Sequence, residues 1–456
     1  MADDHMSDME AMMWNVERDP WLDPNGGGIA IYDRPLDIDL FRRNVAHAVA
    51  AVPRLRQRVA PGVGPLSTPR WVFDHEFDLD WHIRRIGAPG EGSLRELLDF
   101  FTPWLQDAYD VTRPLWMYIV VDGLADGRGA LLSKIHHAVG DGETLVKMSL
   151  AYTTDERDAA PPDDIDLDAV IADDPIDDTG VVARATDAIG QGLKLPVDLG
   201  RRLLRNVLDP ESAGRVRSEA TDLVKTANEQ LHPAGSDLWR HRSRRRHVEA
   251  FSLTFDEVHD AAHALGGTIN DFFLTGAIEA SVRYHDHFER APDRFHMTLV
   301  VNTRAGGDDG TNAFSPVPVE VSAGPMSLEE RFAEVHDLVR AKRAEVHGAG
   351  PLAAMATVAN LLPIPLMTGL ARDQASHIDF ATSNLPGYRG ETYVAGARTL
   401  HSYPFGPVAG TGFNLTMMST NDMLDLGLNI DPAAVTEPEL LTVQLEQAYA
   451  DLLALS

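Results

Sequence analysis

The spacing of hydrophobic positions predicts both helices and strands in the first third of the chain. Residues 35–59 and 94–109 place apolar side chains at the three-to-four-residue period of an amphipathic helix, and Pro53 predicts the end of the first one. Residues 115–124 and 128–137 are apolar runs separated by a short turn sequence, which is typical of neighbouring strands. Two helices are therefore followed by a pair of strands.

The pattern continues through a helix predicted at 143–152 and into a second half with many strands. Two adjacent histidines, His136 and His137, thus fall where a strand ends and a glycine-containing loop leads into a helix. The same reasoning predicts helices near 255–284 and 327–346, a strand at 295–303 and strand-like stretches from 378 to 431.

A change in composition separates the two halves. Between 155 and 178 the chain has eleven acidic residues and three prolines, a composition typical of a solvated linker that need not fold. Residues 193–217 are amphipathic and locally basic, and residues 239–247 contain five arginines. We therefore predict three regions: an N-terminal subdomain at 1–154, an acidic then basic linker region with an amphipathic helix at 155–247, and a C-terminal subdomain at 248–456.

Composition narrows the class of protein. A chain of 456 residues favours two domains, and hydrophobic and aromatic contents of 44% and 7% are typical of a soluble globular protein. The formal net charge of −29 argues against nucleic acid as the main partner. Without cysteine the chain has neither a disulfide nor a thiolate metal site, which fits a cytoplasmic location.

One uncharged stretch, residues 348–371, is long enough to span a bilayer. It contains Pro351, Pro363 and Pro365, each of which removes a backbone donor and interrupts a helix. We therefore expect a short alanine-rich helix followed by an apolar loop instead of a membrane span. The start of the chain lacks a basic segment followed by an apolar one, so we expect no signal peptide.

The two histidines raise the question of acid–base chemistry. A neutral imidazole titrates at about pH 6.5, so His137 is able to take a proton from an attacking alcohol or amine. Asp141, between Gly140 and Gly142, is placed to brace the loop or the ring. The alternatives are two packing histidines beside a turn, or a metal site. The HExxH zinc pattern and the GxSxG pattern of serine hydrolases are both absent, and we expect no metal.

The motif HHAVGDG at 136–142 matches the HHxxxDG signature of CoA-dependent acyltransferases and nonribosomal peptide condensation domains. Six further motifs occur in order: PRLRQRV at 53–59, FDLDWHI at 77–83, RPLW at 113–116, GGTINDFF at 266–273, TSNLPGY at 382–388 and GTGFNLTMMS at 410–419. Together they resemble the bacterial wax ester synthase/acyl-CoA:diacylglycerol acyltransferases, over roughly residues 8–452.

This resemblance implies a catalytic set. His137 becomes the general base, and His136 and Asp141 become its structural supports. Asn270 of the ND motif joins them, because its amide would hydrogen-bond the imidazole or the oxyanion. Alternatively, Asn270 and Asp271 cap the helix that follows.

The other motif residues are expected to be structural. They are Gly142 in the turn, Pro114, Leu115 and Trp116 at the start of a strand, Asp271, and Ser383 and Asn384, which with Pro386 and Gly387 would form a loop crossing between the halves.

Three interpretations stay open for the arginine run, represented by Arg242, Arg244 and Arg245. In the first interpretation, the guanidinium groups bind the phosphates of CoA. In the second, they contact an anionic membrane or lipid-droplet surface together with the amphipathic stretch 193–208. In the third, they form a solvated linker end that folds against the acidic segment.

The fold implied by the resemblance is the chloramphenicol acetyltransferase-like α/β fold, with two domains, mixed sheets flanked by helices and an active-site tunnel between the halves. The implied enzyme is an O-acyltransferase that moves a long-chain acyl group from acyl-CoA, its co-substrate, to a fatty alcohol or a diacylglycerol, with no resident cofactor. Two rivals remain: a related enzyme acting on a sugar or polyketide hydroxyl, and a non-catalytic lipid-binding or droplet-associated protein. We expect a cytoplasmic location, with a peripheral membrane or droplet association as the alternative.

Overall fold

The computed structural model describes residues 5–62, 68–140, 146, 148–176, 235–302, 314–345 and 364–455. The helices with defined bounds are α1 (Asp8–Val16), α2 (Ile38–Ala51), α3 (Leu79–His82), α4 (Leu94–Gln106), α5 (Leu167–Ala172), α6 (Phe255–Ala264), α7 (Ile269–His287), α8 (Leu328–Glu345), α9 (Ile364–Ser376) and α10 (Pro438–Leu453). The strands are β1 (Asn25–Tyr32), β2 (Gln57–Ala60), β3 (Arg70–Phe73), β4 (Ile83–Gly87), β5 (Trp116–Asp122), β6 (Gly129–His136), β7 (Thr153–Thr154), β8 (His247–Thr254), β9 (Arg294–Asn302), β10 (Phe314–Ser322), β11 (Phe380–Tyr388), β12 (Tyr393–Val394), β13 (Ala397–Phe405), β14 (Phe413–Thr420) and β15 (Met423–Ile430).

The N-terminal half is built on a seven-stranded sheet with the order β4-β5-β6-β1-β13-β12-β7. Strands β4 and β5 are parallel, and the other neighbouring pairs are antiparallel. Ile31 packs in one apolar cluster with Phe101 of α4, whereas the next residue, Tyr32, packs in another with Phe41 of α2. Because side chains alternate along a strand, these helices cover opposite faces of the sheet.

The C-terminal half is built on a six-stranded sheet with the order β10-β9-β11-β14-β15-β8. Strands β9, β11 and β14 run parallel, and the remaining pairs are antiparallel. Phe272 of α7 and Tyr449 of α10 stack in the core that covers this sheet. The two mixed sheets flanked by helices agree with the predicted architecture.

Strands β12 and β13 cross from the C-terminal half into the N-terminal sheet. β13 is antiparallel to β1, with Gly27 opposite Phe405. The fully buried Asp425 of β15 accepts hydrogen bonds from the backbone N–H of Ser402 and from the hydroxyl of Ser252, both at 2.6 Å. β13 is therefore held by both halves, while the predicted region limits at 154 and 247 remain a prediction.

Most of the elements predicted from periodicity are confirmed. The predicted helices at 35–59 and 94–109 correspond to α2 and α4, and Pro53 begins a short 3₁₀ turn directly after α2. The helices and strands predicted after residue 254 correspond to α6, α7, α8, β9 and β11–β15. In the predicted helix at 143–152, residues 146 and 148–150 are helical and 151–152 form a turn, whereas 143–145 and 147 lie outside the described residues. The basic stretch 193–217 lies entirely outside them.

The acidic segment is packed against the N-terminal half, so the expectation of a solvated linker is wrong for residues 155–176. Arg56 donates to both carboxylate oxygens of Asp174, at 2.7 and 2.9 Å, and both side chains are buried. Helix α5 buries Ile171, and Arg43 pairs with Asp164 at 2.9 Å. These ion pairs join the acidic segment to α2 and to the turn after α2. They do not support the third interpretation of the arginine run, in which the run folds against the acidic segment.

The uncharged stretch forms more helix than predicted. Residues 364–371, at the end of this stretch where an apolar loop was expected, are part of helix α9. Residues 348–363 lie outside the described part of the chain. None of the described helices is long and apolar enough to cross a membrane.

We predict that Asp174→Asn destabilises the protein by about 3–5 kcal/mol, because the buried Arg56 guanidinium loses its counter-charge. Asp164→Asn is the matched control: its carboxylate is 88% exposed, and its loss should cost at most about 1 kcal/mol. Urea unfolding gives both values, and proteolysis of Asp174→Asn should cleave first within 155–176. Equal unfolding free energies for the two variants would contradict the buried clamp.

Candidate active site

The predicted base lies where strands from both halves meet. β6 ends at His136, and its neighbour β1 also pairs with the crossover strand β13. A methyl group placed on Gly26 would lie 3.4 Å from Nε2 of His137 and 3.6 Å from the carbonyl oxygen of Phe405. The half-buried His137 ring therefore lies next to the bare backbone of Gly26, at a distance where one methyl group would make ordinary van der Waals contact.

The first histidine of the motif is fully buried, with a hydrogen bond on one ring nitrogen and a carboxylate near the other. Nδ1 of His136 accepts the backbone N–H of Ala138 at 2.9 Å. Nε2 lies 3.2 Å from a carboxylate oxygen of Glu17, although it makes no hydrogen bond of good geometry among the described residues. Asp141 and Gly142 lie outside the described residues.

The PLW residues lie at the start of β5, the strand that pairs with the histidine strand β6. The buried indole of Trp116 donates to the carbonyl of Leu55 at 2.7 Å and stacks on the imidazole of His82 at 4.2 Å. His82 donates from Nδ1 to the Trp116 carbonyl at 2.7 Å, and burial lowers the pKa of His82 to about 4, so the ring stays neutral. The carbonyl of Leu115 accepts the N–H of His136 at 3.0 Å.

The two residues of the ND motif have different positions. Thr268 is the N-cap of α7, and the buried carboxylate of Asp271 accepts from its N–H at 2.9 Å and from its hydroxyl at 2.8 Å. Nδ1 of His336 also lies 2.9 Å from this carboxylate. Asp271 is therefore the partner of Thr268 in the capping box of α7. Asn270 instead accepts a hydrogen bond from the amide of Asn384 at 3.2 Å, and its predicted contact with the base stays a prediction.

The predicted loop at TSNLPGY is wrong, because these residues belong to β11. Ser383 and Asn384 pair with β14 inside the C-terminal sheet, and the register shifts where Pro386 and Gly387 follow. Proline has no N–H for the ladder, which is consistent with an irregularity at this point. The crossing between the halves is made by β12 and β13.

The arginine run is divided between half-buried and exposed side chains. Arg242 donates to the carbonyl of Gly410 at 2.6 Å and to that of Ile378 at 3.0 Å, and burial lowers its pKa. Its guanidinium is thus engaged by backbone, which corrects its assignment as a CoA ligand. Arg244 and Arg245 are exposed, and their role stays a prediction.

Sequence reasoning missed Gly26, Glu17 and Lys134. Lys134 is buried on β6 and donates from Nζ to the carbonyls of Trp104 and Asp107, so it neutralises the C-terminal end of α4. Burial lowers the pKa of Lys134 to about 8, although nearby carboxylates, Asp107 first, act against the shift. The available signals were a lysine inside an apolar strand and three successive glycines entering another.

Comparison with known proteins assigns the family. Residues 6–273 match the wax ester synthase/diacylglycerol acyltransferase catalytic domain, and residues 311–453 match the C-terminal domain of the same family. The chain belongs to this family. Two proteins of Mycobacterium tuberculosis H37Rv, both with the provisional name diacylglycerol O-acyltransferase, are 31% and 30% identical to it. They match over 99% and 96% of this chain and 92% and 91% of their own lengths. The predicted resemblance and enzyme class, an acyl-CoA-dependent O-acyltransferase, are confirmed.

Solved structures confirm the fold class. The wax ester synthase/diacylglycerol acyltransferase from Marinobacter aquaeolei VT8 superimposes with a TM-score of 0.68 at 20% identity, covering 98% of each chain. The first condensation domain of the calcium-dependent antibiotic synthetase gives a TM-score of 0.59 at 17% identity, over 98% of this chain and 95% of its own. At such identities the likeness shows the shared two-domain α/β fold.

We predict that Gly26→Val lowers the acyl-transfer rate about tenfold or more. A Cβ at this position would already be in van der Waals contact with the His137 ring, at 3.4 Å from Nε2, so the further methyl groups of valine would displace the ring. Gly28→Val, two residues along the same face of β1, is the matched control, because a Cβ there would meet the hydroxyl of Ser133 and the carbonyl of Tyr403, both at 3.3 Å, and not the His137 ring. Steady-state rates at equal melting temperature are compared. Equal losses in the two variants would mean that His137 is not specifically affected.

Proposed function

We propose that this enzyme transfers a long-chain acyl group from acyl-CoA to the hydroxyl of a fatty alcohol or a diacylglycerol, with His137 as the general base. The observation that carries the proposal is the position of the His137 imidazole at the end of β6, against the bare backbone of Gly26 and beside the end of β13. Both halves of the fold therefore contribute backbone to the surroundings of this ring.

In the proposed reaction, His137 takes the proton of the acceptor hydroxyl while the hydroxyl oxygen attacks the thioester carbonyl carbon. The new carbon–oxygen ester bond forms, and the carbon–sulfur bond to CoA breaks. The imidazolium then returns its proton to the departing CoA sulfur. The products are the ester and CoA with a free thiol, and the step needs neither a covalent acyl-enzyme nor a resident cofactor.

We assign stabilisation of the developing oxyanion to Asn270. Its amide oxygen accepts from Asn384, which fixes the orientation of the amide and leaves the Asn270 NH2 group to act as donor. A donor directed at the thioester oxygen is worth about 3 kcal/mol in comparable acyl-transfer sites. In this proposal Asn384 acts only by orienting Asn270.

The acceptor class is inferred from the family. The family description includes both wax ester and diacylglycerol chemistry, and the M. tuberculosis relatives are named for diacylglycerol. We therefore propose that dioleoylglycerol and hexadecanol are both productive acceptors, with triacylglycerol and wax ester as the respective products.

We predict that His137→Ala lowers thiol release from hexadecanoyl-CoA by about 10²–10⁴-fold with either acceptor, because the proton of the hydroxyl no longer has a base to receive it. His75→Ala, which changes an exposed histidine in a turn, is the control and should retain the wild-type rate. Thiol release is followed with a colorimetric reagent, and the ester product is identified by mass spectrometry.

Two results would contradict the proposal. A His137→Ala variant that is folded and within a few-fold of the wild-type rate would show that the base is another group. A wild-type enzyme that forms no ester with either lipid acceptor, but acylates a sugar or polyketide hydroxyl, would remove the lipid substrates while keeping the enzyme class.

A further inference from the structure

The backbone around His137 is shaped by the preceding histidine. The carbonyl of His136 accepts the N–H of Val139 at 2.9 Å, and Nδ1 of the same residue accepts the N–H of Ala138 at 2.9 Å. His137 is the residue enclosed between these two hydrogen bonds. The imidazole of His136 thus acts on the turn as an Asx side chain does, by accepting a backbone N–H two residues ahead.

This turn requires one tautomer of His136. A backbone N–H only donates, so Nδ1 must carry a lone pair, and the ring proton must be on Nε2. The ring is fully buried, and a buried N–H without an acceptor is costly. The tautomer that supports the turn therefore needs an acceptor near Nε2.

Glu17 is the group that faces this nitrogen. It is the C-cap residue of α1, and its carboxylate oxygen lies 3.2 Å from Nε2 of His136, close enough to accept the ring N–H after a small rotation, although the two atoms do not have hydrogen-bond geometry here. Trp14 of the same helix packs edge-on against the imidazole, with ring centroids 6.1 Å apart. The helix is also anchored independently of Glu17, because Glu10 pairs with Arg54 at 3.4 Å.

Other ionisable groups lie near the His136 ring and Glu17. The ring of Tyr109 lies edge-on to His136, with centroids 6.1 Å apart. The carboxylates of Asp23 and Glu17 both oppose the lowering of the Lys134 pKa, so they lie within electrostatic reach of that ammonium group.

We propose that Glu17 is a positioning residue, which fixes the Nε2–H tautomer of His136 and thereby the turn that presents His137 to substrate. The inference rests on the proposed role of His137 as the base. Glu17 itself touches neither substrate nor the reacting atoms. A bound substrate would sense its loss only through the orientation of the base.

The test compares Glu17→Gln, which keeps an acceptor oxygen, with Glu17→Met, which removes it at similar size. We expect Glu17→Met to lower kcat about tenfold or more with an unchanged KM for acyl-CoA, since a buried N–H loses its acceptor. Glu17→Gln should stay within about twofold of wild type. Asp19→Asn, which breaks the ion pair of the same segment with Arg372, controls for docking of the N-terminal segment and should have little effect.

A double-mutant cycle separates positioning from packing. In His136→Asn the amide oxygen takes the place of Nδ1 and accepts the Ala138 N–H without tautomer control. The loss caused by Glu17→Met should therefore disappear in this background. A loss that persists there, equal losses in Glu17→Gln and Glu17→Met, or no loss in either would overturn the proposal.

Nitrogen NMR of histidine-labelled protein provides a readout that does not need turnover. The resonance assigned to His136, by its absence from His136→Asn, should report the Nε2–H form in wild type and Glu17→Gln and a different state in Glu17→Met. The Nδ1–H form in wild type would overturn the inference. A wild-type protein without acyl transfer that shows the expected tautomer pattern would place the failure in the proposed function instead.

Discussion

Hydrogen bonding of β1 to both β6 and β13 is the constraint on which the rest of the active site depends. One edge of β1 pairs with β6, the strand that carries the histidine motif, and the other edge pairs with β13, a strand supplied by the C-terminal half. Gly26 and Gly27 allow close approach: a side chain at Gly27 would meet the carbonyl of Ser133 at 2.5 Å. Backbone pairing, rather than a side-chain contact, therefore places His137 at the junction of the two sheets.

Buried polar groups then fix each part of this junction. Asp425 of β15 accepts a hydrogen bond from the crossover strand β13, and Lys134 of β6 donates to a carbonyl at the C-terminal end of α4. Each of these charges is buried with hydrogen-bond partners, as the cost of burying an unpaired charge requires. His82, which is neutral, hydrogen-bonds the Trp116 carbonyl without adding a buried charge.

Local periodicity was sufficient for α2, α4, α7 and for β5, β6 and β9, because each buries one face and its pattern repeats within a few residues, whereas β1, β8 and β10 were not predicted. It did not reveal that β13 joins the N-terminal sheet, since pairing between distant strands has no local signature. The acidic segment was misjudged because average composition overlooks a single buried pair, Arg56–Asp174, formed across 118 positions. Likewise, nothing local to Glu17 indicates that it faces His136.

The most direct test of the central claim, that His137 is the base at the junction of the halves, is a crystal structure with a thioether analogue of hexadecanoyl-CoA and hexadecanol. We expect the alcohol oxygen within about 3 Å of an imidazole nitrogen of His137, with the analogue positioned for attack at the carbon that corresponds to the carbonyl. An alcohol oxygen bound beyond reach of His137, even through one water, and beside a different basic group would contradict the assignment.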